Sequence, residues 1–221
     1  YQGTALFGPS TSTILEHKIK RIQTNTFLGD LAGSSPAVVG ETLYFYFYVE
    51  SVPFIQEVLP GEVEMAGSGK TCVNTTFAGD CSIRLNTPGT YEVTLRYLGT
   101  NLYAPSEMSP TFSHTVSKAN TVVTVLSVTN QEPGLTSTIS FEVIPLAPGK
   151  GAPLGTVDVF LTTGPETCSS TLTQVGPNKS TGSCTIDWVT NGSNTLKAKY
   201  FASTQFKANT GTFPIFIGFP Q

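Results

Sequence analysis

The clearest alternation of side chains runs from Leu43 to Val49, LYFYFYV, with large residues on both faces of a period-two pattern. Strand side chains point alternately to opposite faces, so this stretch predicts a β-strand with two distinct surfaces. Ser137 to Val143, STISFEV, repeats the pattern with a polar outer face. Aligning the two sorts the faces. Phe45, Phe47 and Val49 match Ile139, Phe141 and Val143, and are expected in the core. Tyr44, Tyr46 and Tyr48 match Thr138, Ser140 and Glu142, and are expected outside. Gly61 to Met65, GEVEM, and Gly155 to Val159, GTVDV, alternate in the same way and predict a second pair of half-exposed strands. No segment keeps a helical period over three turns.

A longer duplication organises the chain. CSIRLNTPGTYEVTLRY, Cys81 to Tyr97, aligns without a gap on CTIDWVTNGSNTLKAKY, Cys184 to Tyr200. Each copy predicts a strand, a glycine turn at Gly89 or Gly192, and a second strand, that is, a hairpin. The alignment sets Trp188 opposite Leu85 and so predicts it on the core face. Closing strands are expected at about Thr111–Val116 and Thr212–Ile217, and the second half opens with a strand at Thr121–Val125. Short strands at regular spacing with Gly/Pro turns predict an all-β fold of antiparallel sandwiches. A length of 221 residues with this duplication gives two domains, 1–117 and 118–221. The linker Ser117-Lys118-Ala119-Asn120 is too short to flex freely, so the domains are expected to stack end to end as a semi-rigid rod.

The opening segment repeats a third element. YQGTALFGPS, Tyr1 to Ser10, matches YLGTNLYAPS, Tyr97 to Ser106, and more loosely YFASTQFKAN, Tyr200 to Asn209. The turn after the duplicated stretch therefore occurs three times, and the stretch itself twice. Residues 1–21 then read as the end of a preceding repeat in a longer array, or as a strand exchanged with a neighbour. The rival reading makes Thr11–Ile19 the first strand of domain one.

Composition narrows the function. Charged residues are 12% of the chain, about half the usual share, and the net charge is −3. A nucleic-acid partner would need a basic face, so none is expected. No apolar run is long enough to insert into a membrane, and no signal peptide opens the sequence, which therefore reads as a mature chain or an excised piece. The four cysteines fall two per repeat. Of the three possible pairings the repeat favours Cys72–Cys81 with Cys168–Cys184, and persistent bridges imply an oxidising compartment outside the cell or at its surface. Free thiols or a metal site are the alternatives, but the close Cys-x-x-Cys pairs that zinc favours are absent.

His17 and His114 have no nucleophile or acid set beside them in the sequence, so no enzyme activity and no cofactor are expected. Glu57, Glu62 and Glu64 lack the tight acidic loop that calcium needs, and no metal site is expected. Three sequons, at Asn74, Asn178 and Asn191, fit surface loops. The three outward tyrosines stand about 6.6–6.8 Å apart along their strand and form a ridge. Contiguous exposed aromatics usually mark a contact surface, and Arg84 on the expected neighbouring strand is placed to stack on it.

Gly155, Val157 and Val159, then Cys168, Gly182 and Cys184, with Tyr97, Gly99, Pro105 and Ser106, then Lys118, Ala119 and Thr121, occur in an order that resembles the tandem immunoglobulin-like repeats of bacterial surface proteins. The resemblance covers both domains and implies two tandem immunoglobulin-like sandwiches of an adhesin, stalk or fibre. Its partners would be other copies of itself, neighbouring repeats or a glycan. Domain one departs from it, since Glu62 and Glu64 flank Val63 and the Lys-Ala-x-Thr start has no evident counterpart. The alternative is a carbohydrate-binding accessory module of a secreted enzyme.

Overall fold

The computed structural model describes residues 1–33, 35–65, 70–74 and 79–218. The described strands form two sandwiches in succession. The first holds β1 (Gln23–Ala32), β2 (Ala37–Val38), β3 (Thr42–Val52), β4 (Gly61–Met65), β5 (Lys70–Asn74), β6 (Gly79–Arg84), β7 (Gly89–Val93), β8 (Leu95–Tyr97) and β9 (Phe112–Ser117). One layer is β1-β3-β6. The other is β5-β4-β8 continued by β2-β9-β7, since β7 and β8 are one strand interrupted at Thr94. The second holds β10 (Thr121–Val128), β11 (Thr136–Pro145), β12 (Thr156–Leu161), β13 (Thr167–Thr171), β14 (Thr173–Gly176), β15 (Lys179–Asp187), β16 (Gly192–Tyr200) and β17 (Asn209–Ile217). Its layers are β10-β11-β15-β14 and β13-β12-β16-β17. The pairing is antiparallel apart from β2 with β9. The chain is thus all-β, built as two tandem immunoglobulin-like sandwiches.

The two copies share a register. Phe45 lies opposite Cys81 as Ile139 lies opposite Cys184. Val63 lies opposite Tyr97 as Val157 lies opposite Tyr200. The inward residues Phe45, Phe47, Ile139, Phe141 and Val143 are fully buried. A β-carbon on Gly79 would stand 2.3 Å from the ring of Phe47, and one on Gly182 2.7 Å from the ring of Phe141. Each phenyl ring therefore lies over a backbone that must carry no side chain. The hydroxyl of buried Tyr97 donates to the Pro60 carbonyl at 2.6 Å, and that of Tyr200 to the Leu154 carbonyl at 2.9 Å. A buried hydroxyl without a partner is costly, and here the bond also ties the end of each strand to the start of β4 or β12.

The duplicated stretch is not a hairpin. β6 pairs with β3 and β15 with β11, whereas β7, β8 and β16 belong to the opposite layers. The segments Leu85–Pro88 and Trp188–Asn191 cross from one sheet to the other as arches. Trp188 fills the crossing in the second sandwich, fully buried, and its indole N–H donates to the Asn130 carbonyl at 2.9 Å. Cys72 on β5 is bonded to Cys81 on β6, and Cys168 on β13 to Cys184 on β15, so each bridge also joins the two layers. Closing loops of 9 and 16 residues contributes about 3 kcal/mol apiece in the chain-entropy account.

Domain one opens at β1, and Thr11–Ile19 forms no strand; Ile14, Leu15 and Ile19 are exposed. The counterpart of Lys118-Ala119-Asn120-Thr121 is Arg21-Ile22-Gln23-Thr24. Ile22 bridges Tyr103 as Ala119 bridges Phe206. Arg21 donates to the Thr100 carbonyl at 3.3 Å and Lys118 to the Ser203 carbonyl at 2.6 Å. Thr24 donates to the Ala104 carbonyl at 2.8 Å and Thr121 to the Lys207 carbonyl at 3.0 Å. The turn at the start of the chain also keeps its repeat geometry. Thr4 N–H donates to the Phe7 carbonyl at 2.7 Å, as Thr100 does to Tyr103 at 2.9 Å and Ser203 to Phe206 at 3.0 Å. Residues 1–21 thus carry the turn but no strand.

Trp188→Ala should destabilise the second sandwich by about 3–5 kcal/mol through loss of the largest buried side chain. Urea unfolding followed by far-UV circular dichroism checks this, and an unchanged midpoint would show that the arch does not depend on the indole.

Candidate functional site

The tyrosine ridge runs down the middle strand of the β1-β3-β6 sheet. Tyr44, Tyr46 and Tyr48 are 44%, 42% and 40% exposed, while the residues between them are buried. A fourth ring joins them: Phe27 on β1 stacks on Tyr48 with centroids 4.9 Å apart and an interplanar angle of 17°. Sequence reasoning missed Phe27 because it missed β1. Beside Tyr46, β1 bulges between Leu28 and Leu31. Arg84 lies opposite Thr42, beyond the end of the ridge, and makes no ring contact with the tyrosines among the described residues. It lines a groove between the two sandwiches instead.

That groove, of about 510 Å³, is bounded by Arg84 at the end of β6, Asn86 on the first arch, and Lys150, Asn178 and Gln205 from the second sandwich. A neighbouring one of about 500 Å³ takes in Tyr44, Glu41, Pro148 and Gly149. The ridge therefore opens onto the domain junction. Main chain dominates the junction itself. Lys150 N–H donates to the Val39 carbonyl at 3.1 Å, and the Gln205 side chain to the Asn86 carbonyl at 2.8 Å. Gly40 has φ +80°, and a β-carbon there would stand 2.3 Å from the Lys150 carbonyl oxygen. The two backbones touch because Gly40 has no side chain.

The other sequence candidates have structural roles. Asn178 Oδ1 accepts the Gly151 N–H at 2.9 Å, so this sequon residue ties two loops of the second sandwich together beside the groove. Asn191 is exposed on the second arch. The Asn74 sequon runs into Thr75 and Thr76, which lie outside the described residues. Glu57 accepts the Tyr103 hydroxyl. Among the described residues no three His, Cys, Asp or Glu gather to hold a metal ion. His17 is exposed, whereas His114 is buried on β9, opposite Tyr91 and stacked near Phe112 with centroids 6.3 Å apart. Burial pushes the His114 imidazole below its ordinary range, against the opposing pull of the Glu41 carboxylate. Its Nε2 has no hydrogen-bond partner among the described residues.

Glu166 was not singled out in the sequence, and nothing local marks it. Its carboxylate sits under the second arch, accepting N–H groups from Val189 at 3.0 Å and Thr190 at 2.6 Å and the Thr190 hydroxyl at 2.9 Å. Burial alone would raise its pKa, but these donors outweigh burial and hold it low.

No protein-family model matches the chain, and no curated protein does. Solved structures that match include the fibronectin(III)-like modules of Clostridium thermocellum CbhA, at 12% identity and a TM-score of 0.32, covering 87% of this chain and 94% of that one. Red sea bream transglutaminase matches at 10% identity and a TM-score of 0.36, over 92% of this chain and 32% of that one. The sandwich assignment rests on the strand order described above.

A neutral buried imidazole makes stability depend on pH in one direction. The unfolded chain takes up the proton first, so the His114 contribution is complete above about pH 6.5 and declines as pH falls below that value toward the lower folded pKa. Urea midpoints at pH 7.5 and pH 5 should differ more for the wild type than for His114→Gln. Equal differences would show that His114 is freely protonated in the fold.

Proposed function

We propose that the chain is a non-catalytic spacer, a stiff segment of a stalk or fibre that works outside the cell or on its surface. The observation that supports this is the main-chain junction, Val39 and Gly40 against Lys150, a contact that would hold the two sandwiches as one rod. Two disulfides that join sheet to sheet suit an oxidising compartment. Three copies of one turn, at Thr4, Thr100 and Ser203, support an array in which this geometry recurs, with residues 1–21 as the end of another repeat. A rod built this way transmits position along its length with little bending, which is what a stalk requires.

A second reading is favoured by the ridge. Phe27, Tyr48, Tyr46 and Tyr44 form an open aromatic face on one sheet, a surface suited to stacking on sugar rings, as in a glycan-binding accessory module. Tyr46→Ala should abolish any such binding on a glycan array without lowering the melting temperature, and absence of binding by the wild type would remove this reading.

The spacer reading is checked by pulsed electron paramagnetic resonance with one spin label on β11 and one on β3. A single narrow distance distribution is expected. Gly40→Ala should broaden it. Gly134→Ala imposes the same backbone cost at φ +82° but meets no atom within 4 Å, so it should leave the distribution narrow. A broad wild-type distribution would overturn the rod.

A further inference from the structure

Arg84 and Lys150 line one groove from opposite sandwiches, Arg84 from the end of β6 and Lys150 from the loop before β12. Both are exposed. Among the described residues neither side chain makes a hydrogen bond or an ion pair. The residues lining this groove include no carboxylate, although the chain has 15 acidic residues against 12 basic ones. Two unpaired cations thus share a concave surface that carries no counter-charge of its own.

The amides around them add donors. Asn178 Oδ1 already accepts the Gly151 N–H at 2.9 Å, which leaves its Nδ2 group as a donor. The Asn86 carbonyl is taken by the Gln205 side chain at 2.8 Å. These two acceptors are used within the protein, and Arg84, Lys150 and Asn178 Nδ2 are left over. Glu41 lines the neighbouring groove, but it is 9% exposed and its Oε2 accepts the Val38 N–H at 3.1 Å, which holds it against the first sandwich. A volume of about 510 Å³ lies within the usual range of small-ligand sites and has room for a sugar ring.

The two grooves share Lys150 and Asn178, and the second reaches Tyr44. A ligand lying along the tyrosine ridge therefore reaches the cations without leaving the surface. Asp80 stands opposite Tyr46 on β6 and is exposed. It can accept the hydroxyls of a neutral sugar and repels an acidic one, so a negative group belongs at the junction and not over Tyr46. We propose that this continuous site takes an oligosaccharide carrying an acidic sugar. Neutral rings stack on Tyr46 and Tyr44, and the carboxylate of the sugar acid enters the groove between Arg84 and Lys150. The planar guanidinium fork matches a carboxylate with two parallel hydrogen bonds, while Lys150 and Asn178 Nδ2 donate from the other sandwich. The site is complete only with the joint closed, because its two cations come from different sandwiches. This rests on the glycan reading of the ridge and names the class of ligand.

Isothermal titration calorimetry of the full chain with aldotetraouronic acid and xylotriose, and with sialyllactose and lactose, compares each acidic oligosaccharide with its neutral core. In at least one pair the acidic member should bind about tenfold more tightly, and added salt should reduce that margin. Arg84→Gln and Lys150→Gln, both at exposed positions, should each remove most of the margin and leave the melting temperature unchanged. Lys199→Gln, an exposed lysine on β16 outside the groove, should leave the margin intact. Equal binding of acidic and neutral members would overturn the proposal and leave the ridge reading standing. So would a margin that survives both groove substitutions, or one that Lys199→Gln reduces as much. Binding of neither member in either pair would also overturn it, and the glycan array then decides separately whether the ridge binds any sugar.

Discussion

Each sandwich depends on a phenyl ring lying over a glycine in the neighbouring strand, Phe47 over Gly79 and Phe141 over Gly182. The contact sets the register of the strand that carries the cysteine two residues later. That register fixes where the disulfide crosses to the facing sheet and where the chain turns into the arch. The arch delivers the strand ending in Tyr97 or Tyr200, whose hydroxyl closes the unit on the loop before β4 or β12. Changing the glycine would move the ring, and through it the bridge, the arch and the tyrosine. The two halves share little sequence outside these points, and the same chain path results.

The joint between the halves is made differently. Its central contacts are backbone to backbone, so they specify an orientation with few demands on side chains. Side chains around it are then free to vary. Inside the chain they are polar and line a groove that opens at Tyr44. A backbone joint places its demand on Gly40, whose β-carbon would meet the Lys150 carbonyl, and leaves the side chains around it free to differ.

Much of this was legible in the sequence because burial alternates along β3 and β11 with period two. Phe45, Phe47, Ile139 and Phe141 could be sorted from Tyr44 and Tyr46 by alignment alone. The arch was not legible, since strand, glycine turn and strand read the same whether the second strand returns to its own sheet or crosses to the other. β1 was missed for a different reason. Its inward residues include Thr24 and Thr26, which are buried but polar, and the alternation is broken again by the bulge after Leu28. Thr26 shares a hydrogen bond with Ser106 at 2.8 Å, and both hydroxyls receive the Tyr97 N–H, so polar residues stand where an apolar signal was sought. The ridge was visible as three tyrosines, and its fourth ring, Phe27, became visible only with β1 in place. Arg84 was expected on the ridge and lies at the joint, because the pairing of Thr42 with Arg84 sets it beyond Tyr44.

A rod requires the joint to be closed in solution, and the amide of Lys150 reports this directly. It donates to the Val39 carbonyl across the junction. Hydrogen exchange followed by nuclear magnetic resonance should find this amide protected in the wild type and exposed in Gly40→Ala. A wild-type Lys150 amide exchanging as fast as an unprotected loop residue would contradict the rod.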